Sequence, residues 1–210
     1  MNRIGRRILA AILLLGIRLP FLYAQQGNTK NHAIPMPADR VRDSYRVYSA
    51  LMPIGETAGN GWPHKLWLIK NTTETVIPKD KRCTPVPGFE YPLPQNEDFL
   101  EVLKDFNSHC HDRIALDTDV WTGPVPVRLL NAAEQQEFMS ILIEHPRPDK
   151  YRGAPALFAF SEVYFNAKHT LALIHATQYC GMLCGEGFWA VLALENGKWK
   201  LRSTMGYWVS

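Results

Sequence analysis

The sequence predicts an α+β fold of about three N-terminal helices and a C-terminal four-stranded antiparallel meander. Three observations predict it. Apolar residues recur at helical spacing in three segments ahead of residue 145. From about residue 157 the periodicity changes to the strict alternation of strands. Within that region Asn196-Gly197 sits between two apolar runs, the strongest short-range hairpin signal, because both central residues of a type I′ turn need φ > 0.

Residues 1–24 carry Arg3, Arg6 and Arg7, an apolar run from Ile8 to Ile17, and a small residue, Ala24, before Gln25. A basic head, a short apolar run and a small residue at the cut define a signal peptide. The run is too short to span a hydrocarbon core, which needs about 20 residues. Residues 25–38 are polar and aperiodic and are expected to form a flexible arm. Residues 39–210 are expected to form a single α+β domain. Four of the 23 Lys and Arg lie in the first 24 residues, which hold no Asp or Glu, so the remainder has 19 against 20. That balance gives no electrostatic case for nucleic acid or an anionic membrane.

Val41, Tyr45, Tyr48 and Met52 mark the first helix, with Asp39 as N-cap and Pro53 as its end. Gly55 to Gly61 reads as a loop and Lys65 to Lys70 as a strand. Five prolines between Val76 and Pro94 exclude regular helix and central strand there, so this segment is expected to wrap the surface. Asn96-Glu97-Asp98 supplies a cap and first-turn acids to a second helix with an apolar stripe of Phe99, Val102, Leu103 and Phe106, ending by Ser108. Val125 to Leu130 reads as an edge strand, since Pro126 cannot donate to a ladder. Asn131-Ala132-Ala133-Glu134 has the form of a capping box and opens a third helix to about Ile143. Residues 145–155 form a Pro-rich crossover into the meander, whose strands are expected at Leu157–Phe165, His169–Tyr179, Phe188–Leu194 and Trp199–Met205.

Chemistry concentrates around Cys180-Gly181-Met182-Leu183-Cys184-Gly185-Glu186-Gly187. Cys83, Cys110, Cys180 and Cys184 are an even set in a chain expected to be exported, which favours disulfides. Four cysteines allow three connectivities. The spacing favours Cys180–Cys184 across the tight turn and Cys83–Cys110, with the crossed pairings open. Gly181, Gly185 and Gly187 are expected to supply positive-φ positions, and with Glu186 they form the candidate binding surface. A redox role for Cys180 and Cys184 would depart from the usual Cys-x-x-Cys at a helix N-terminus, since three residues separate them and strands flank them. His109-Cys110-His111-Asp112 is the densest group of ligand types, but adjacent side chains do not readily converge on one ion, so no metal and no cofactor is expected. His175 lies on an alternating strand face, and Glu186 is expected as an exposed turn residue; both are also acid–base candidates. The sequence has no Gly-x-Ser-x-Gly, phosphate-binding loop, dinucleotide fingerprint or His-Glu-x-x-His pattern.

The stretch FSEVYFNAKHTLALIHATQYCGMLCGEGFWAVLALENGKWKL, with its Trp-x-Ser tail, resembles a group of exported bacterial proteins of uncharacterised function. Their C-terminal halves run Ser-x-Val-x-Phe-Asn, an Ala-Leu strand, a CG-x-x-CG-x-G turn and an Asn-Gly-Lys-Trp hairpin. The resemblance implies export to the periplasm or beyond and a shared fold, and implies no activity.

Two functional readings follow. One is a non-catalytic, disulfide-stapled exported domain that binds a cell-envelope or extracellular partner through the glycine turn and nearby aromatics. The alternative is a hydrolase or thiol enzyme using His175, Cys180, Cys184 and Glu186. They differ in geometry, since the enzyme needs His175 within reach of Cys180 or Glu186 in a shared pocket.

Overall fold

The computed structural model describes residues 32–58, 65–83, 96–123, 125–141, 148–181 and 184–209. The expected signal peptide, residues 25–31 of the arm, residues 84–95 of the Pro-rich wrap and the centre of the turn, Met182-Leu183, lie outside the described residues. In chain order the described elements are β1 (Ile34–Pro35), α1 (Ala38–Ala58), β2 (Trp67–Lys70), α2 (Glu97–His109), β3 (Ile114–Ala115), β4 (Val127–Leu130), α3 (Ala132–Ser140), β5 (Leu157–Phe160), β6 (Tyr164–Phe165), β7 (Leu171–Gly181), β8 (Cys184–Glu195) and β9 (Lys198–Val209), with short 3-10 turns at Thr118–Val120 and Asp149–Tyr151. None of these helices is long and apolar enough to cross a membrane.

The sheet differs from the expected four-stranded antiparallel meander. It is a mixed, seven-stranded sheet in the order β4-β2-β5-β7-β8-β9, with β6 also pairing with β7. β2 lies between β4 and β5 and is parallel to both. The meander is the antiparallel part of this sheet, extended by strands from the first two-thirds of the chain. The expected strand Leu157–Phe165 is divided in two because Ser161–Val163 leaves the ladder. Ser161 uses its side chain there: its Oγ accepts from the His175 N–H at 2.9 Å, while its own N–H donates to the His175 carbonyl at 2.9 Å.

The arm also differs from expectation at its end, because Ile34–Pro35 pairs in parallel with Ile114–Ala115. α1 begins at Ala38 with Asp39 inside its first turn, and it continues five residues beyond Pro53 to Ala58. A proline removes one donor from the helical ladder, and the preceding turns of α1 are anchored by the buried Tyr45, Tyr48 and Leu51. α2 and α3 start where their caps predict. The Asn96 side chain accepts from the Phe99 N–H at 2.8 Å. The Asn131 side chain accepts from Glu134 N–H at 3.1 Å while Glu134 accepts from Asn131 N–H at 3.0 Å, a complete capping box.

The alternation of β7 and β8 divides the core. Ala172, Ile174, Ala176, Phe188, Ala190 and Leu192 point to one face and pack against Tyr45, Tyr48, Leu51 and Met52 of α1. Leu173, Trp189 and Val191 point to the other face and meet Phe99, Val102 and Phe106 of α2. On that second face, Leu68, Leu130 and Leu157 pack with Phe138 of α3 and Tyr151. The stretch of sheet between the α2 and α3 clusters is where a cleft opens.

Candidate functional site

The cleft follows from strand register. Directly paired residues point to the same face of a sheet, and three strands set Thr177, Gly187 and Trp208 in one row. The row on one side is His175, Trp189 and Met205; on the other side Tyr179 faces Gly185. Glycines at 185 and 187 therefore leave the middle strand without side chains where a floor would otherwise be filled. The result is an open cleft of about 450 Å³ whose lining includes His175, Thr177, Tyr179 and Trp208.

A bulge aims Trp208 into it. Between the pairs Trp189↔Met205 and Gly187↔Trp208, β8 has one residue and β9 has two. Gly206 takes φ 60°, the left-handed conformation that favours glycine at such a bulge. In regular alternation Trp208 would face away from Met205; the extra residue turns it to the same side. There the indole lies over Gly187 so closely that a Cβ at that position would meet Trp208 Nε1 at 2.3 Å and Thr177 Cγ2 at 2.8 Å. Trp208 remains 38 % exposed, with part of its ring presented to the cleft.

The opposing wall is the segment after β2, with Glu74, Thr75 and Val76, together with Arg113. Backbone bonds hold this wall: Glu74 N–H donates to the Phe160 carbonyl at 2.8 Å and Thr73 N–H to the Ile114 carbonyl at 2.9 Å. The Arg113 guanidinium donates to Thr72 Oγ1 at 2.8 Å. The Glu74 carboxylate pairs with Lys70 and accepts from Thr177 Oγ1 at 3.4 Å, and the Lys70 ammonium stands 4.7 Å from the Tyr179 ring centroid. Burial lowers the His175 pKa to about 4 despite the opposing attraction of Glu74, so its imidazole is neutral over the ordinary range. Its ring meets the edge of Trp189 at 5.1 Å.

The other sequence-predicted residues lie elsewhere. Cys180 is bonded to Cys184, with Cα atoms 5.0 Å apart. Cys83 is bonded to Cys110, with Cα atoms 6.0 Å apart. Cys180 packs against the α1-side cluster. Glu186 pairs across the ladder with Gln178, which puts both on that same side, and it is buried at 8 % exposure rather than displayed on a turn. The sheet thus separates His175 from Cys180 and Glu186. Gly185 and Gly187 belong to β8, and neither has the expected positive φ. Gly187 is required instead for close approach. Gly181 ends β7, paired with Cys184.

His109, His111 and their neighbours are divided between two tasks. His109 Nδ1 lies 2.9 Å from the Asp105 carboxylate. The donor atoms of Cys83, Cys110 and His111 lie within 4.8 Å of one another. The disulfide between the two cysteines removes both thiolates as ligands.

A second polar assembly joins α1, α2 and the Ser161–Val163 connection. The buried Arg40 guanidinium donates to Asp105 at 2.6 Å and to the Val163 carbonyl at 2.6 Å, and it lies 3.3 Å from Glu162. Burial pushes the Glu162 carboxyl up to about 7 against the attraction of Arg40.

Glu74, Arg113 and Trp208 are absent from the sequence-derived candidates. Their one sequence signal is the pair of alternating glycines in a strand, which marks close approach of another group. No family model matches this chain, and no curated protein or solved structure is significantly similar to it.

Proposed function

We propose that this chain is an exported, non-catalytic binding domain, stapled by two disulfides, that takes a cell-envelope or extracellular partner into the cleft lined by His175, Thr177, Tyr179 and Trp208. The observation that carries this reading is convergence. Aromatic and polar side chains from β7, β9, the Glu74–Val76 segment and Arg113 meet at one opening. The thiol and acid–base candidates do not meet, because Cys180 and Glu186 lie across the sheet from His175. Preformed clefts with a few placed polar groups are the usual form of binding sites. Export to the periplasm or beyond has the support of both disulfides, which persist in oxidising compartments, of the apolar N-terminal run, and of the resemblance to exported bacterial proteins. That resemblance is itself part of the proposal.

Mass measurement of the chain from fractionated cells tests export, with cleavage after Ala24 expected; a full-length species held in the membrane overturns it. Co-sedimentation with isolated cell envelopes tests binding. Thr75 lines the cleft from outside the strands, so Thr75→Arg places a long side chain at the cleft wall, and it is expected to abolish sedimentation while the folded signal is kept. Equal sedimentation of both forms refutes the cleft as the site. An ester- or disulfide-directed activity lost in both His175→Ala and Cys184→Ser replaces the binding reading with the enzyme reading.

A further inference from the structure

We propose that the ligand of this cleft is a saccharide, with one pyranose ring stacked on Trp208 and its hydroxyls bonded to Glu74, Thr177, His175 and Arg113. This deepens the binding reading above and rests on it. A pyranose has an apolar C–H face and a rim of hydroxyls that both donate and accept. It therefore needs an aromatic platform beside a mixed set of polar groups.

The platform is built into the backbone. Gly187 removes the side chain that would lift the indole, the Gly206 bulge turns it inward, and the ring is supported from behind by β8 and Thr177. An aromatic ring packed closely against Gly187 and Thr177 and still 38 % exposed costs little ordering when a ligand arrives.

The polar groups match hydroxyls by kind. The Glu74 carboxylate only accepts and the Arg113 guanidinium only donates. The Thr177 hydroxyl, whose proton is directed to Glu74, keeps its acceptor lone pairs, and a neutral imidazole at His175 offers one donor and one acceptor. The cleft carries Glu74 against Arg113, with Lys70 already paired to Glu74, so no single-sign field selects a strongly charged ligand. Lys70 and Thr72 each satisfy only part of Glu74 and Arg113, and a purely apolar ligand would desolvate the remaining acceptor and donor positions of these two groups without replacing their water. The volume, about 450 Å³, suits one or two sugar rings, at the lower end of small-molecule clefts.

The probes are chito-oligosaccharide, cello-oligosaccharide and oligogalacturonate, which share the pyranose ring and differ in N-acetyl groups and charge. Binding is followed by titration calorimetry and by the indole N–H resonance of Trp208, assigned from its loss in Trp208→Phe. At least one probe is expected to shift that resonance saturably at millimolar concentration or below. Trp208→Ala is expected to weaken binding about tenfold or more, and Trp208→Phe to retain most of it. Gly187→Ala keeps the indole but displaces it, and a matching loss there separates platform geometry from the mere presence of an aromatic ring. If none of the probes shifts the resonance at about 10 mM, the saccharide inference is overturned. Should Thr75-dependent envelope binding persist in that case, the binding reading stands with another ligand class; should it be absent too, both fall.

Discussion

Replacing Glu162 by Gln should stabilise the protein in neutral solution and leave it nearly unchanged in acid. The carboxylate is 4 % exposed, lies 3.3 Å from Arg40, and has one oxygen, Oε2, without a hydrogen-bond partner. Burial raises its pKa to about 7 in the folded chain, against about 4.3 when unfolded. Between those values the folded chain keeps a proton that the unfolded chain has released. Stability from this group is therefore fully present below the unfolded value and is lost as pH rises through the folded one. At about 1.4 kcal/mol per pH unit the loss approaches about 4 kcal/mol by pH 8. Gln mimics the protonated form at every pH. The stability difference between variant and wild type should thus grow from near zero around pH 4 to about 4 kcal/mol around pH 8.

Urea unfolding at several pH values measures this difference. A difference independent of pH, or one that shrinks as pH rises, refutes the reasoning. His175 has the opposite slope: its folded pKa is lowered to about 4, so its stabilisation is present above about 6.5 and is lost as pH falls toward 4. The two groups offset each other in wild type between about pH 4.5 and 6.5. Glu162→Gln should expose the His175 branch as a protein that gains stability steadily with pH over that range.

Gly187→Ala should destabilise by about 1–3 kcal/mol, because its Cβ would meet the Trp208 indole at 2.3 Å and the ring must move; calorimetric unfolding with no loss would mean the indole is not held there. Cys184→Ser should cost about 2 kcal/mol or less, since a sequence separation of 4 closes little chain, whereas Cys83→Ser, with a separation of 27, should cost about 3–4 kcal/mol. Peptide mapping of unreduced protein should find no free thiol at any of the four positions, and a crossed pairing would contradict the structure. Asn131→Ala should remove about 1 kcal/mol by breaking the capping box of α3, read by thermal unfolding.

The features legible in the sequence are those that need only near neighbours. Asn96 and Asn131 announce their helices because a cap satisfies donors two or three residues ahead. Asn196-Gly197 announces its hairpin because the turn demands left-handed residues, and both have positive φ. Sheet order is another matter. β2 and β4 are four residues each, too short for a periodic signal, and β2 pairs in parallel with partners roughly 60 and 90 positions along the chain. No local pattern states such a pairing. The same limit hid Glu74 and Arg113, which reach the cleft only because β2 and β3 bring their flanking residues beside the sheet.

The glycines of the turn were legible as letters but not as structure. Three of them near two cysteines suggest a chain that needs positive φ, and a disulfide of separation 4 with Cα atoms 5.0 Å apart is compatible with that. Yet Gly185 and Gly187 sit within β8, Gly187 beside the bulge, where glycine weakens a strand and brings no side chain to pack. The strand tolerates them because β8 pairs with β7 through Ala193 on one side and with β9 from Glu186 to Glu195 on the other. A local preference is broken at two alternating positions on one face, in the best-supported strand of the sheet. Departures of that kind are expected where a site is built. Here the missing side chain at Gly187 leaves the space that Trp208 occupies.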